Sequence, residues 1–305
     1  MSAGVALATK RPAAPTARTP MANAGALLVL PGCLAITACL LIPLGYILCL
    51  GFNASQPGMV HLTNKVTVAN YLRFLAAPFY WRVLGKTIYL ACATTILCAG
   101  FGMALALSIW RARPSRRGML LIVVLSPLLV SIVTRTYGWM VMLGDNGVIN
   151  SILLKLRLIS GPLALMFNDG AVIVGLLHVF LPLMVIPILT ALDRIDPAVP
   201  EAASTLGAGP FTTAYEVIVP LAAPGLIAGI TIVFSLAMSS YITPALMGGP
   251  NSGVMTTLVY QQFVVTFDWQ FGSVVVAILL AGSMTIVGLM LFEFARRTRG
   301  WMRRP

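Results

Sequence analysis

Six runs of apolar residues divide the chain, at 24–52, 87–110, 119–143, 171–192, 221–246 and 272–292. Each approaches or exceeds the ~20 residues that a helix needs to cross a bilayer. Apolar residues fill every face of these runs rather than one stripe, the pattern of helices solvated by lipid or by each other. The pattern predicts an all-α polytopic membrane protein with six transmembrane helices. Pro31, Gly32, Pro43 and Gly45 interrupt the first run and predict a bend; such residues are tolerated where neighbouring helices re-satisfy the backbone. No repeat of 20–50 residues is visible, nor are two halves with matching broken helices.

Orientation follows from the basic residues of the connections. With the N-terminus inside, the inner segments hold Lys10, Arg11, Arg18, Arg111, Arg113, Arg116, Arg117, Arg194, Arg296, Arg297, Arg299, Arg303 and Arg304. The outer segments hold fewer: Lys65, Arg73, Arg82, Lys86, Lys155 and Arg157. Both termini are therefore expected in the cytoplasm. Residues 1–23, rich in Ala, Pro and Thr with three basic residues and no acid, read as a disordered cytoplasmic tail. Residues 24–294 form the membrane domain, with a polar loop at 193–220, and 295–305 a basic cytoplasmic tail. The first run is too long for the 7–15-residue core of a signal peptide. Cys39 in "ITAC" is followed by more apolar sequence, which argues against a lipoprotein cleavage box.

Composition agrees. Hydrophobic residues make up 59% of the chain and charged residues 9%, against about 25% charged in a soluble domain. The net charge of +12 lies between and beyond apolar runs instead of on one folded face, so it marks topology and membrane lipid rather than nucleic acid. Cys33, Cys39, Cys49, Cys92 and Cys98 all fall inside apolar runs without metal-ligand spacing, and are expected to be buried small hydrophobes.

Chemistry is sparse. "LGKT" at 84–87 lacks the first glycine of a phosphate-binding loop, because Tyr80 stands there. His61 and His178 are far apart, and His178 in the fourth run reads as a packing residue. No GxSxG elbow or metal set occurs, so no catalytic residue, metal or cofactor is expected and the chain is not read as an enzyme. Arg135 is the one clear charge inside a run. It lies near the outer end of the third run, where "RTYGW" with Tyr137 and Trp139 is either an interfacial aromatic belt or the wall of an outer pathway.

The loop at 193–220 reads "DRIDPAVPEAASTLGAGPFTTAYEVIVP". Asp196 before Pro197 is a helix start, since Asp accepts orphan N–H bonds and Pro fits the first turn. Glu201 lies early in that helix, where its charge suits the positive end. Ala202 and Ala203 leave a thin face for another surface to approach. Gly207 and Gly209 break the helix and Pro210 opens a second. This predicts a helix–turn–helix outside the bilayer, docked either on the membrane surface or on another protein.

The order of these residues resembles the cytoplasmic signature of permease subunits of binding-protein-dependent ABC importers: EAA, three residues, Gly, nine residues, then I-x-L-P. Glu201, Ala202, Ala203, Gly207 and Pro220 fall at matching positions, with Val217 and Val219 in place of Ile and Leu. "TVANYLRFL", "RTYGWMVMLGDNGVINSILLKL", "HVFLPLMVIPI" and "SSYITPALMGG" are similar to spermidine/putrescine-type permeases of the B kind. The resemblance implies a type I importer (MetI-like) permease fold in the bacterial inner membrane. It further implies half of a translocation pathway completed by a second homologous permease. An ABC ATPase dimer would dock on the EAA loop, and a periplasmic substrate-binding protein would deliver the cargo. Polyamines are the implied cargo; relatives of the same build serve opines, phosphonates or ferric iron. Expected pathway residues are Arg135, Tyr137, Trp139, Asp145, Ser239, Ser240, Tyr241 and Thr243. An ion-driven secondary carrier is the rival class, and it needs intramembrane acids that the runs lack before Glu293.

Overall fold

A computed structural model describes residues 21–54, 58, 66–249 and 253–301. The tail expected at 1–23 falls almost wholly outside the described residues, as do His61, Lys65, Arg303 and Arg304. The chain divides into two compact units, Met1–Ile47 and Leu48–Pro305. The helix α1, Met21–Leu50, carries Pro31 and Pro43 inside it. In the second unit follow α2 (Ala69–Ala76), α3 (Pro78–Trp110), α4 (Pro114–Leu125), α5 (Ile132–Leu143), α6 (Val148–Lys155) and α7 (Asp169–Leu192). Next come α8 (Ala198–Thr205), α9 (Pro210–Thr212), α10 (Val219–Leu221), α11 (Ala223–Met238), α12 (Ile242–Met247), α13 (Met255–Tyr260) and α14 (Trp269–Trp301).

Four helices are long and apolar enough to cross a membrane singly: Leu30–Leu50, Pro78–Trp110, Asp169–Leu192 and Trp269–Arg296. Among the described residues two helix pairs pass the same test only when taken together across a bend, Pro114–Leu129 with Ile132–Lys155 at 98° and Pro210–Leu221 with Ala223–Met238 at 66°. By length and composition the described residues thus hold four spans, or up to the six expected if each bent pair is one span. The third run is thus not one straight helix. After Leu125 the chain tightens into a 3₁₀ turn at Ser126–Leu129, extends at Val130, and restarts at Ile132. Pro127 sits in that turn, where its missing N–H withdraws a helical bond. The fifth run ends early in the same sense: α11 stops at Met238 and the chain turns through Ser239–Tyr241 into α12.

The centre of the second unit is the bundle of α3, α7 and α11, whose three pairs make the most extensive packing in the structure. Glycines set its closeness. A methyl on Gly225 of α11 would strike the carbonyl oxygen of Pro187 and lie 2.6 Å from the Ala191 methyl on α7. Gly102 and Gly229 face Met184 from α3 and α11 in the same way. Small residues let membrane helices gain dispersion contact, because lipid supplies no hydrophobic push between them. A second cluster joins α2, α3, α13 and α14 through Phe74, Val83, Met255, Leu258, Phe271, Val274 and Val275. Thr87 ties α13 to α3, accepting from the Met255 N–H at 2.9 Å and donating to the Val83 carbonyl at 2.8 Å. Of the five cysteines, all free, only Cys98 is buried, while Cys33, Cys39 and Cys49 are exposed. The expectation of burial therefore holds for Cys98 and not for these three, whose small apolar thiols carry no polar group that burial would need to satisfy.

Candidate functional site

The loop expected to couple is a sequence of local stop and start signals. The Asp196 carboxylate accepts from the Ala198 N–H at 2.9 Å and begins α8. The hydroxyls of Ser204 and Thr205 both donate to the Glu201 carbonyl, at 2.7 and 3.0 Å. At the far end the Ala208 N–H bonds the Ala203 carbonyl and the Gly207 N–H bonds the Ser204 carbonyl, each at 3.0 Å. That double closure requires a left-handed residue, and Gly207 supplies it with φ +87°. Pro210 then opens α9, which continues through a π-helical turn at Thr213–Ile218 into α10. Pro220, which has no N–H to give the ladder, lies in α10 just before the 66° bend into α11.

The burial pattern of this segment is two-sided. Thr213, Ile218 and Ala222 are buried and anchor it to the bundle. Leu206, Phe211 and Tyr215 are 88%, 89% and 77% exposed, although all three are large and mainly apolar side chains. Glu201 and Ala202 are exposed and Ala203 half-buried beside them. Sequence reading picked out the framework, Glu201, Ala202, Ala203, Gly207 and Pro220, but passed over Leu206, Phe211 and Tyr215. Their signal was present, as three large side chains among the small and polar residues of 201–215.

The expected pathway residues divide into groups. Short α12 packs against α5 and α7, so the turn Ser239–Thr243 and the Arg135 region lie around one set of helices. Trp139 donates its indole N–H to His178 Nδ1 at 3.1 Å, with the rings edge to face at 5.6 Å. His178 is therefore a satisfied packing residue, as expected. Arg135 is half-buried and donates to the Val130 carbonyl exposed by the helix break, while its Nε and Nη1 have no partner among the described residues. Tyr137 is 53% exposed. Tyr241 stacks on Tyr260 with centroids 5.1 Å apart, and the Ser240 carbonyl accepts from the Thr256 hydroxyl at 2.7 Å. Ser239 is exposed and turns back on its own helix, bonding the Ser235 carbonyl at 3.2 Å. Thr243 is fully buried against Gly175, and its hydroxyl lacks a partner among the described residues.

Three acids lie toward the other end of the bundle from the coupling segment, and two are already paired. Asp169 meets Lys86 at 2.9 Å. Asp268 meets Arg73 at 3.1 Å and caps the Phe271 N–H at 3.1 Å, while the Arg73 guanidinium lies 4.2 Å above the Phe271 ring. Asp145, in the turn from α5 to α6, is exposed and makes no ion pair among the described residues. No group of three or more His, Cys, Asp or Glu that could hold a metal occurs among the described residues.

Comparison with known proteins adds to this geometry. The model of the family of binding-protein-dependent transport system inner membrane components matches residues 96–300. The spermidine/putrescine transport system permease protein PotB of Haemophilus influenzae is 30% identical over 259 residues, 85% of this chain and 88% of that protein. PotB of Escherichia coli is 34% identical over 236 residues, 76% of this chain and 83% of that protein. A bacterial alginate ABC transporter, solved in complex with an alginate pentasaccharide-bound periplasmic protein, superimposes with a TM-score of 0.75 at 16% identity, over 88% of this chain and 93% of that one. The last likeness is one of fold.

Proposed function

The chain belongs to the family of inner membrane components of binding-protein-dependent transport systems, and we propose that it forms one half of the translocation pathway of a polyamine importer. A second, homologous permease completes the pathway. One subunit of an ATP-hydrolysing pair docks on the segment Asp196–Leu221 and the other on the second permease, and a periplasmic binding protein presents spermidine or putrescine at the opposite end. The observation that carries this reading is the exposed trio Leu206, Phe211 and Tyr215 on a segment whose own backbone bonds are closed by caps. Apolar side chains held out from a rigid frame fit a groove on a soluble partner, where aromatic anchors contribute most. The polyamine reading is supported by the identity to the two PotB proteins over most of the chain. It is also supported by Asp145, an acid with no ion pair among the described residues and so open to a cation.

In this mechanism closure of the ATPase pair on ATP pulls the segment inward. The motion passes through the bend at Ala222 into α11 and from there to α7 and α3, with which α11 is closely packed. The pathway then alternates between inward- and outward-open states, each favoured by the partner that binds it better. Cargo selection rests mainly with the binding protein, since Asp169 and Asp268 are occupied by cations of this chain.

The test is uptake of labelled spermidine and putrescine into proteoliposomes holding the purified assembly, with binding protein outside and ATP inside. Uptake that requires ATP and persists when ion gradients are collapsed is expected. Uptake driven by an ion gradient without ATP would instead identify a secondary carrier. ATP-dependent uptake of an opine, a phosphonate or ferric iron, with polyamines excluded, would retain the importer and replace its cargo.

A further inference from the structure

The turn between α3 and α4 reads "RARPSRR" at 111–117. Arg111, the residue that closes α3, and Arg113, the residue before the proline that opens α4, are brought with Arg116 into one hollow of about 680 Å³. Ala112, Met119 and Leu120 complete its lining. All three arginines are exposed, and none forms an ion pair among the described residues. The nearby carboxylate, Asp193, is already taken by Arg117, which joins α4 to the end of α7. Three uncompensated cations therefore share one concavity.

The same helix continues from this hollow with large apolar side chains turned outward: Met119 is 70%, Ile122 71% and Val123 58% exposed. A basic run that serves only to fix topology needs charge near the membrane but no concavity that gathers three guanidinium groups. A free phosphate would use the arginines and leave the apolar face unused. An anionic amphiphile uses both, with its headgroup oxygens against the guanidinium donors and its chains along α4.

We propose that the hollow at the α3–α4 turn binds the headgroup of an anionic phospholipid, with an acyl chain laid over Met119, Ile122 and Val123. The site lies at the same end of the bundle as the coupling segment: the Arg117–Asp193 pair joins α4 to the linker that leads into α8, and Arg111 also borders a groove containing Pro210 and Phe211. The bound lipid thus sits beside the lever that the ATPase moves.

The experiment is native mass spectrometry of the detergent-purified assembly, titrated with phosphatidylglycerol or with phosphatidylcholine of the same chains. Phosphatidylglycerol is expected to be retained roughly 100-fold more tightly, the product of three arginine contacts at a charged surface. The Arg111→Gln, Arg113→Gln, Arg116→Gln triple variant is expected to lose that preference, and inorganic phosphate at the same concentration is expected not to displace the lipid. Equal retention of the two lipids by the unaltered protein would overturn the proposal, and so would an unchanged preference in the triple variant. Displacement by phosphate would also overturn it, in favour of a soluble-anion site. The headgroup comparison on the unaltered chain decides the matter even where loss of three arginines prevents insertion.

Discussion

The segment Asp196–Leu221 turns Leu206, Phe211 and Tyr215 outward, whereas the bundle of α3, α7 and α11 turns glycines inward. Both are ways of arranging a close contact. In the bundle the contact is already made within the chain, and Gly102, Gly225 and Gly229 let it form. In the segment Leu206, Phe211 and Tyr215 stand exposed, and under the proposed function their contact is made with a surface outside the chain. The difference separates residues whose loss harms folding from residues whose loss harms coupling.

Five substitutions probe that separation. The largest effect is expected from Gly225→Ala, which drives a methyl into the Pro187 carbonyl and destabilises the bundle by about 3 kcal/mol through overpacking. It should appear as a lower melting temperature in detergent and less inserted protein. Phe211→Asp comes next. It leaves the melting temperature unchanged, because the ring touches little of this chain, but weakens association with the ATPase about 30-fold, the equivalent of about 2 kcal/mol for an anchor residue. A matching loss of stability would move Phe211 to the folding side of the comparison. Gly207→Ala is expected to cost about 1 kcal/mol, since a left-handed backbone is unfavourable for a residue with a Cβ. Its signature is reduced coupling of ATP hydrolysis to uptake with insertion intact. The smallest effect is expected from Arg117→Gln or Asp193→Asn, which break a half-exposed ion pair worth less than about 1 kcal/mol. A double-mutant cycle on the melting temperature measures that pair alone.

The two regions also differ in how far the sequence discloses them. Asp196, Pro197, Gly207 and Pro210 act on their immediate neighbours, so the helix–turn–helix could be read from spacing, and its caps appear where expected. The six apolar runs were legible for the same reason. The break inside the third run was not, because proline carries no single meaning in a span: Pro182 and Pro187 lie within continuous α7, while Pro127 sits where the chain turns by 98°. Which residues face each other inside the bundle was hidden as well. Lipid and helix interior are equally apolar, so a span has no polar stripe to mark its outer face. Trp139 with His178, Tyr241 with Tyr260, and Arg73 with Asp268 are contacts between separate elements, and no local pattern announces them. Asp169 and Asp268 are each committed to a base of this chain, whereas Asp145 makes no ion pair among the described residues. Asp145→Asn is accordingly expected to slow uptake without changing the amount of inserted protein; an unchanged rate in a transport assay would remove it from the pathway.

The central claim, that the exposed side of Asp196–Leu221 is the seat of an ATP-hydrolysing subunit, is tested most directly by a photo-reactive benzoylphenylalanine in place of Phe211 in the assembled system. Irradiation is predicted to yield a crosslink to the ATPase, stronger with nucleotide than without. Irradiation that crosslinks only lipid or membrane helices, in an assembly where the ATPase is present, would contradict it.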